Sequence, residues 1–301
     1  MIIVRHRNIF FGITGVLIVL SIAAFFFYGL HLGVDFTGGT SIDVHYSVAR
    51  PSQAVLSESL ATIGIHDASL YEIGDNGYVM ESGTLSDGTQ TLLPSALSVG
   101  GEFPSTIENP RNILPSLGAE LRTKALVALG LVLLCILLFI AFAFRKVSEP
   151  VSSWIYGLIA LVTLLHDVII PIGFYAVLGH FTFAAIDTLF VTAILTVLGF
   201  SIHDTIVVFD RVRENLRVNH ERNRKEDFAE TAGRSLNQTF VRSINTSLTV
   251  LATLLVLFFI GPASTRDFAL TLLVGIIAGT YSSIFLATPL LVSFEKWRRN
   301  K

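Results

Sequence analysis

Gly199-Phe200-Ser201-Ile202-His203-Asp204-Thr205-Ile206-Val207-Val208-Phe209-Asp210-Arg211 closes a mostly apolar run that begins near Phe183. At about 25 residues the run is long enough to cross a bilayer as a helix. Asp204 lies inside it. A carboxylate at a helix centre costs roughly 2.5–3.5 kcal/mol to insert, and less toward an end. A residue placed against that cost marks a functional site whose partner has to be found. The rest of the chain reads as the apparatus around this proton-binding group.

Of 301 residues, 52% are hydrophobic and only 15% charged, with a mean hydropathy of +0.66. Soluble domains carry about 25% charged residues, so the composition is that of an integral membrane protein. The net charge of −2 says nothing about nucleic acid, and no nucleic-acid partner is expected. The single cysteine, Cys135, lies in an apolar run and has no mate for a disulfide, so it reads as packing. No CxxC, HExxH or GxxxxGK[ST] is present, and no metal, cofactor or nucleotide is expected.

Arg5 and Arg7 precede an apolar run from Ile9 to about Leu30, which is too long for a signal-peptide core and reads as an uncleaved first span. A polar region follows to Lys124. Further apolar runs cover Ala125–Phe144, Trp154–Leu178, Phe183–Phe209, Ile244–Ile260 and Phe268–Phe294. These are about twice the length of a barrel strand, so the expectation is six helices. The expected domains are a first span (1–30), an outer domain (31–124), a five-helix membrane domain (125–297) and a short tail (298–301).

Arginine and lysine set the orientation. Of the 21, two precede span one, two lie between spans two and three, eight between spans four and five, and four follow span six. The other short loops hold only Arg266. The positive-inside rule then puts both termini in the cytoplasm and the large loop outside.

That loop reads as α+β. Gly39–Tyr46 alternates as a half-buried strand. Pro51–Ile63 has helical spacing after a proline. Ala68–Ile73 and Tyr78–Ser82 flank Gly74-Asp75-Asn76-Gly77 as a hairpin. Gly83–Gly101 is rich in Ser, Gly and Thr and gives no clear element. A short strand near Glu102–Glu108 would complete the sheet, and Leu117–Lys124 would lead helically into span two.

Polar residues form stripes within the spans. Span four carries Thr188, Thr192, Thr196, Gly199 and His203 on one face, ending beside Asp204. Span five opens with Arg242, then Thr246, Thr249 and Thr253, with Asn245 adjacent. Span three holds His166-Asp167, and span six repeats Thr271, Gly275, Gly279 and Ser283, the spacing that lets helix backbones approach. Each has a plainer reading: hydroxyls bonded back to their own helix, histidines as packing, Asp187 and Asp210 in headgroups or water, Arg242 snorkelling. Asp204 fits none of these. Low dielectric disfavours an ionised carboxyl, so Asp204 would take a proton from one side and lose it when a cation or water approaches. Arg242 on a facing helix would provide that switch. One charge crossing 100 mV is worth about 2.3 kcal/mol, enough to bias a conformational equilibrium.

Five stretches carry a family resemblance. Gly33-Val34-Asp35-Phe36-Thr37-Gly38-Gly39 follows span one, Leu165-His166-Asp167-Val168 lies in span three, and Ser201 to Asn215 continues span four. Arg242 to Thr249 opens span five, and Gly279-Thr280-Tyr281-Ser282-Ser283-Ile284-Phe285 lies in span six. In this order, with six spans and one large outer loop, they resemble the SecF family, the smaller membrane subunits of bacterial SecD–SecF complexes.

The resemblance implies half of an RND-type fold with a ferredoxin-like outer domain, and proton-motive-force-driven late export of preproteins across the cytoplasmic membrane. It implies Asp204 as proton carrier and Arg242 as its partner, with Asp167, His203 and Thr205 in the relay. Phe36, Thr37, Gly38 and Gly39 would join span one to the outer domain, and Gly199, Gly275, Gly279 and Ser283 would serve helix packing. Implied partners are SecD, the SecYEG translocon, YajC-like subunits, preprotein and lipid, with H⁺ the coupling ion and no cofactor. His203 departs from the family, which commonly has Asn there, so the pH dependence would differ. The segment from Arg211 to Arg242 reads as an amphipathic surface held by anionic lipid, or as a translocon contact. Three rivals stay open: an RND-type exporter of small molecules or lipids, an intramembrane aspartyl protease using Asp167 and Asp204, and a purely structural subunit.

Overall fold

The computed structural model describes residues 2–145, 151–182, 184–262 and 265–300. In chain order the elements are α1 (Ile2–Arg5), α2 (Arg7–Tyr28), α3 (Val34–Thr37), β1 (Gly39–Tyr46), α4 (Gln53–Thr62), β2 (Ser69–Ile73), β3 (Gly77–Ser82), α5 (Asp87–Leu97) and β4 (Ser105–Ile113). Then come α6 (Pro115–Ala143), α7 (Ser153–Thr182), α8 (Thr188–Glu221), α9 (Phe228–Ile260), α10 (Arg266–Ser282), a π turn (Ser283–Ala287) and α11 (Thr288–Arg299). Counting α10 to α11 as one, six helices among the described residues are long and apolar enough to cross a membrane. The chain divides into two compact units.

The membrane unit comprises Met1–Gly29, Val127–Leu178 and Leu189–Lys301. Its main core gathers Ile140, Tyr156, Leu164, Leu198, Phe209 and Leu291, with Tyr156 stacked on Phe144 at 5.2 Å and edge-on to Phe209. A second cluster joins Ala193, Val197, Leu254, Leu272 and Ile276. Glycine sets the closest approaches: a methyl group at Gly173 would run into Ser21, and one at Gly275 into Val197. Only 6% of the window of α2 that would lie in the bilayer is buried in this chain, and the same holds for α6. Span six changes pitch at its π turn. Pro289 has no N–H to offer the Phe285 carbonyl four residues back, and the helix widens there.

The outer unit comprises Leu30–Leu126 and Gly179–Thr188. Its order β1-α4-β2-β3-α5-β4 and antiparallel sheet β2-β3-β1-β4 are the ferredoxin-like arrangement. Ile42, Val44, Tyr46, Tyr78 and Met80 from the sheet meet Leu56 and Leu60 of α4 and Leu93 and Leu97 of α5. Ser52 caps α4 and Ser86 caps α5 through the N–H groups of Val55 and Thr89.

Two elements differ from the sequence reading. The Gly83–Gly101 stretch, which gave no element, holds α5. Its Gly, Ser and Thr have low helix propensity and Pro94 interrupts it, but Leu93, Ala96 and Leu97 cover the sheet and fix the helix by burial. The last strand runs to Ile113 rather than stopping near Glu108. Asn109, with φ +48°, and Pro110 bulge out opposite Ile42, and pairing resumes at Arg111 opposite Ser41.

The Gly38-Gly39 pair has a backbone reason. Gly38 has φ +78° and Gly39 +132°, conformations that L side chains avoid. A Cβ on Gly38 would lie 2.5 Å from the Cα of Pro115, and one on Gly39 would collide with the Ser82 carbonyl. The chain must turn sharply between α3 and β1 while α6 and β3 press against it.

Candidate functional site

The membrane unit buries two aspartates in different ways. Asp167 on α7 is 0% exposed. Its Oδ2 accepts hydrogen bonds from Ser201 Oγ on α8 and from Ser282 Oγ on α10, the latter at 2.8 Å, and its Oδ1 lies 2.8 Å from His166 Nδ1. Gly279 makes this meeting feasible, since a Cβ there would sit 2.9 Å from the Ser201 Cβ. The His166 ring stacks against Tyr281 at 6.1 Å, and the Tyr281 hydroxyl donates to the Phe10 carbonyl of α2 at 3.1 Å. Asp167 thus joins three helices directly and a fourth through His166 and Tyr281.

Asp204 on α8 is 3% exposed and far less satisfied. Ser247 Oγ of α9 reaches its Oδ2 at 3.5 Å, and Thr280 Oγ1 of α10 donates to Ser247 Oγ at 2.7 Å. The Ser247 hydroxyl also has its own helix carbonyl, Ser243 O, at 3.0 Å, so its one proton has two acceptors to choose between. Asp204 and Asp167 share no hydrogen-bond partner among the described residues. Arg242 and His203 are exposed, and neither forms an ion pair with Asp204 among the described residues. Thr205 is buried and bonds back to Ser201 O at 3.3 Å.

The stripes of spans four and five are largely on the surface of the membrane unit, whereas that of span six is buried. Thr192, Thr196, Gly199 and His203 of α8 are exposed, as are Arg242, Asn245, Thr249 and Thr253 of α9. Their threonines largely bond back to the preceding turn: Thr196 to Thr192 O at 2.8 Å, Thr249 to Asn245 O at 2.5 Å, Thr253 to Thr249 O at 3.1 Å. Gly199, expected as a packing position, meets nothing within 4 Å, so within this chain it packs no helix. Gly275 and Gly279 do, against Val197 and Ser201 of α8. Ser283 is buried and bonds to Thr280 O of its own helix.

In the outer unit, Phe36 is buried in the α3 turn, Thr37 donates to Gly33 O at 3.2 Å, and Gly38 and Gly39 make the turn described above. Asp187 does not sit free near the start of span four: Arg111 is 3.5 Å away.

The basic segment is folded rather than loose. It is a helical hairpin, α8 and α9 joined by a short link, with a polar seam inside it. Arg234 bonds Glu226 at 2.5 Å, and Asn219, Thr231 and Asn215 join the same network. Arg217 pairs with Glu221 at 3.2 Å and Arg211 with Glu214 at 2.5 Å.

Sequence reasoning missed Ser201, Ser247, Ser282 and Thr280. A lone serine in an apolar helix carries no visible partner, although Gly279 marked where a neighbouring backbone would come close.

Known proteins resemble the chain along nearly its whole length. The family described as "Protein export membrane protein SecD/SecF, C-terminal" matches residues 101–297, and "SecD/SecF GG Motif" matches residues 23–49. The protein translocase subunit SecF of Thermobaculum terrenum is 41% identical over 97% of this chain and 93% of its own. That of Anaerolinea thermophila is 35% identical over 98% and 95%. The crystal structure of SecDF, a translocon-associated membrane protein from Thermus thermophilus, superposes with a TM-score of 0.83 at 32% identity over 97% of this chain. The chain spans 38% of the length of that solved chain.

Proposed function

Because the chain belongs to the SecF family of protein translocase subunits, we propose that it acts with SecD, using the proton motive force to promote late export of preproteins, with Asp204 carrying the proton. A SecF chain is a multi-pass transport subunit rather than a catalytic enzyme. The observation that carries the proton role is the contrast between the two buried aspartates. Among the described residues Asp167 has three polar partners, whereas Asp204 has one long hydrogen bond.

A buried carboxylate without a close partner is costly in its charged form. A group in that position gains most from exchanging a proton and from meeting a cation in one conformation only. Arg242 and His203 are the nearby groups that could supply such a charge, and Thr205 supports the same stretch of α8. Asp167 acts in the relay by holding α7, α8 and α10 in register around it. The exposed polar faces of α8 and α9 suit a partner's helices or a water path better than hydrocarbon, and SecD is the partner assigned to them. SecYEG, YajC-like subunits and preprotein are further partners, both termini are cytoplasmic, and H⁺ is the coupling ion.

The test is preprotein export into sealed vesicles holding this chain with its SecD partner, under an imposed proton gradient. Asp204→Asn should lose the stimulation by the gradient while basal export continues. Equal stimulation in wild type and variant would overturn the proposal, and stimulation by a sodium gradient alone would reassign the ion.

A further inference from the structure

Asp35, at the start of the α3 turn, has a side chain only 5% exposed and is held by groups far away in sequence. Its Oδ2 accepts from the backbone N–H of Thr188 at 3.1 Å and from Thr188 Oγ1 at 2.5 Å. Thr188 is the first residue of α8. Its N–H is one of the four that no helix can satisfy internally, and a carboxylate there is also favoured by the helix dipole. Asp35 therefore caps, from more than a hundred residues away, the helix that carries Asp204.

Two further contacts tie that cap to the sheet. Arg111 of β4 lies 3.5 Å from Asp35 Oδ1 and 3.5 Å from Asp187 Oδ2. The backbone closes the same joint. Gly33 N donates to Ile186 O at 2.9 Å, Ile186 N donates to His31 O at 2.7 Å, and Leu32 pairs with Ile186 as a parallel bridge. All of these groups belong to the outer unit.

We propose that Asp35, Arg111 and Thr188 form a latch that stays shut and passes movement of the outer sheet to α8, making Asp35 and Arg111 positioning residues for Asp204. The proposal rests on the proton-coupling reading above. Asp204 lies about four and a half turns along the same helix. A sequence-local cap would hold the helix end without linking it to the sheet; a remote carboxylate on the link that enters β1 does both.

The experiment replaces the latch by a covalent bond. In a Cys135→Ser background, Asp35→Cys is combined with Thr188→Cys and assembled with SecD in sealed vesicles. Both gradient-stimulated export and decay of the imposed proton gradient are followed. Reduced, the pair should lose stimulation by about fivefold, the size of shift that a lost helix cap gives, while proton entry continues. Oxidised, it should recover to near wild type, which a merely structural contact would not do. Export unaffected in the reduced form, or unrestored once the disulfide has formed, would overturn the latch. If the pair fails to assemble, Thr188→Val and Arg111→Gln decide: lost stimulation in assembled complexes supports the latch, and wild-type stimulation overturns it. Asp204→Asn runs in parallel. If it responds as wild type, the proton-coupling reading falls and the latch with it; if it is unresponsive while the latch variants are normal, the latch alone is wrong.

Discussion

Asp167 and Asp204 are both aspartates in apolar helices, and their surroundings assign them different work. Removing the Asp167 carboxyl leaves the Ser201 hydroxyl without its acceptor, leaves Ser282 only Gly279 O of its own helix at 3.1 Å, and leaves His166 Nδ1 unpaired beside an Nε2 that already has no partner among the described residues. Each buried group so orphaned costs about 1–3 kcal/mol. Asp167→Ala is therefore expected to lower the melting temperature of the purified complex strongly and to reduce its yield. Asp167→Asn, which keeps one carbonyl oxygen as acceptor, should be milder. Asp204→Asn should scarcely change the melting temperature, since it loses one hydrogen bond of 3.5 Å. If the two Asn variants melt alike and both lose export, the division of labour between the two aspartates is wrong.

Among the elements, the α8–α9 hairpin depends most on polar contacts. Glu226, in the link between the two helices, receives Arg234, Asn219 and Thr231. The Arg234 guanidinium holds its carboxyl below the usual glutamate range. A lowered folded value means that the stabilisation is present above the unfolded value, near pH 4.3, and is lost as pH falls through the folded one. Glu226→Gln should cost about 1.5–3 kcal/mol near pH 7, the value of a hydrogen bond to a charged group. Thermal melts of wild type and variant should converge as the solution is acidified below about pH 4. A difference that persists there would place the effect in packing instead. The length of α8 fits this picture: 34 residues rise about 51 Å, well beyond a hydrocarbon core of about 30 Å. The excess length leaves room for the basic residues near its end, paired with acids of the hairpin, to lie outside the lipid.

At the scale of the whole molecule, the arrangement of charge predicts a side for each loop. Single cysteines in the Cys135→Ser background, placed at Arg224 in the hairpin link and at Gly88 in the outer domain, should react with a membrane-impermeant maleimide from opposite faces. Arg224→Cys should label only from the cytoplasm and Gly88→Cys only from outside. The reverse pattern would invert the topology that the Lys and Arg distribution implies.

The six spans, their polar stripes and the first strands of the outer domain could all be read from the chain, because hydrophobic length and periodicity are local properties. Asp204 stood out for the same reason: the cost of a carboxylate in an apolar run depends only on its neighbours in sequence. What the tertiary structure alone decided is who meets whom. Helix α5 exists because Leu93 and Leu97 find a sheet to cover, against weak local propensity. The serines on two other helices that help to set Asp167 apart from Asp204 are brought close by Gly279. Asp35 became a helix cap through Thr188, a residue whose position no local pattern connects to it. Hydrogen-bond partners of a buried group are set by the packing of distant segments, and a sequence read in windows holds no record of them.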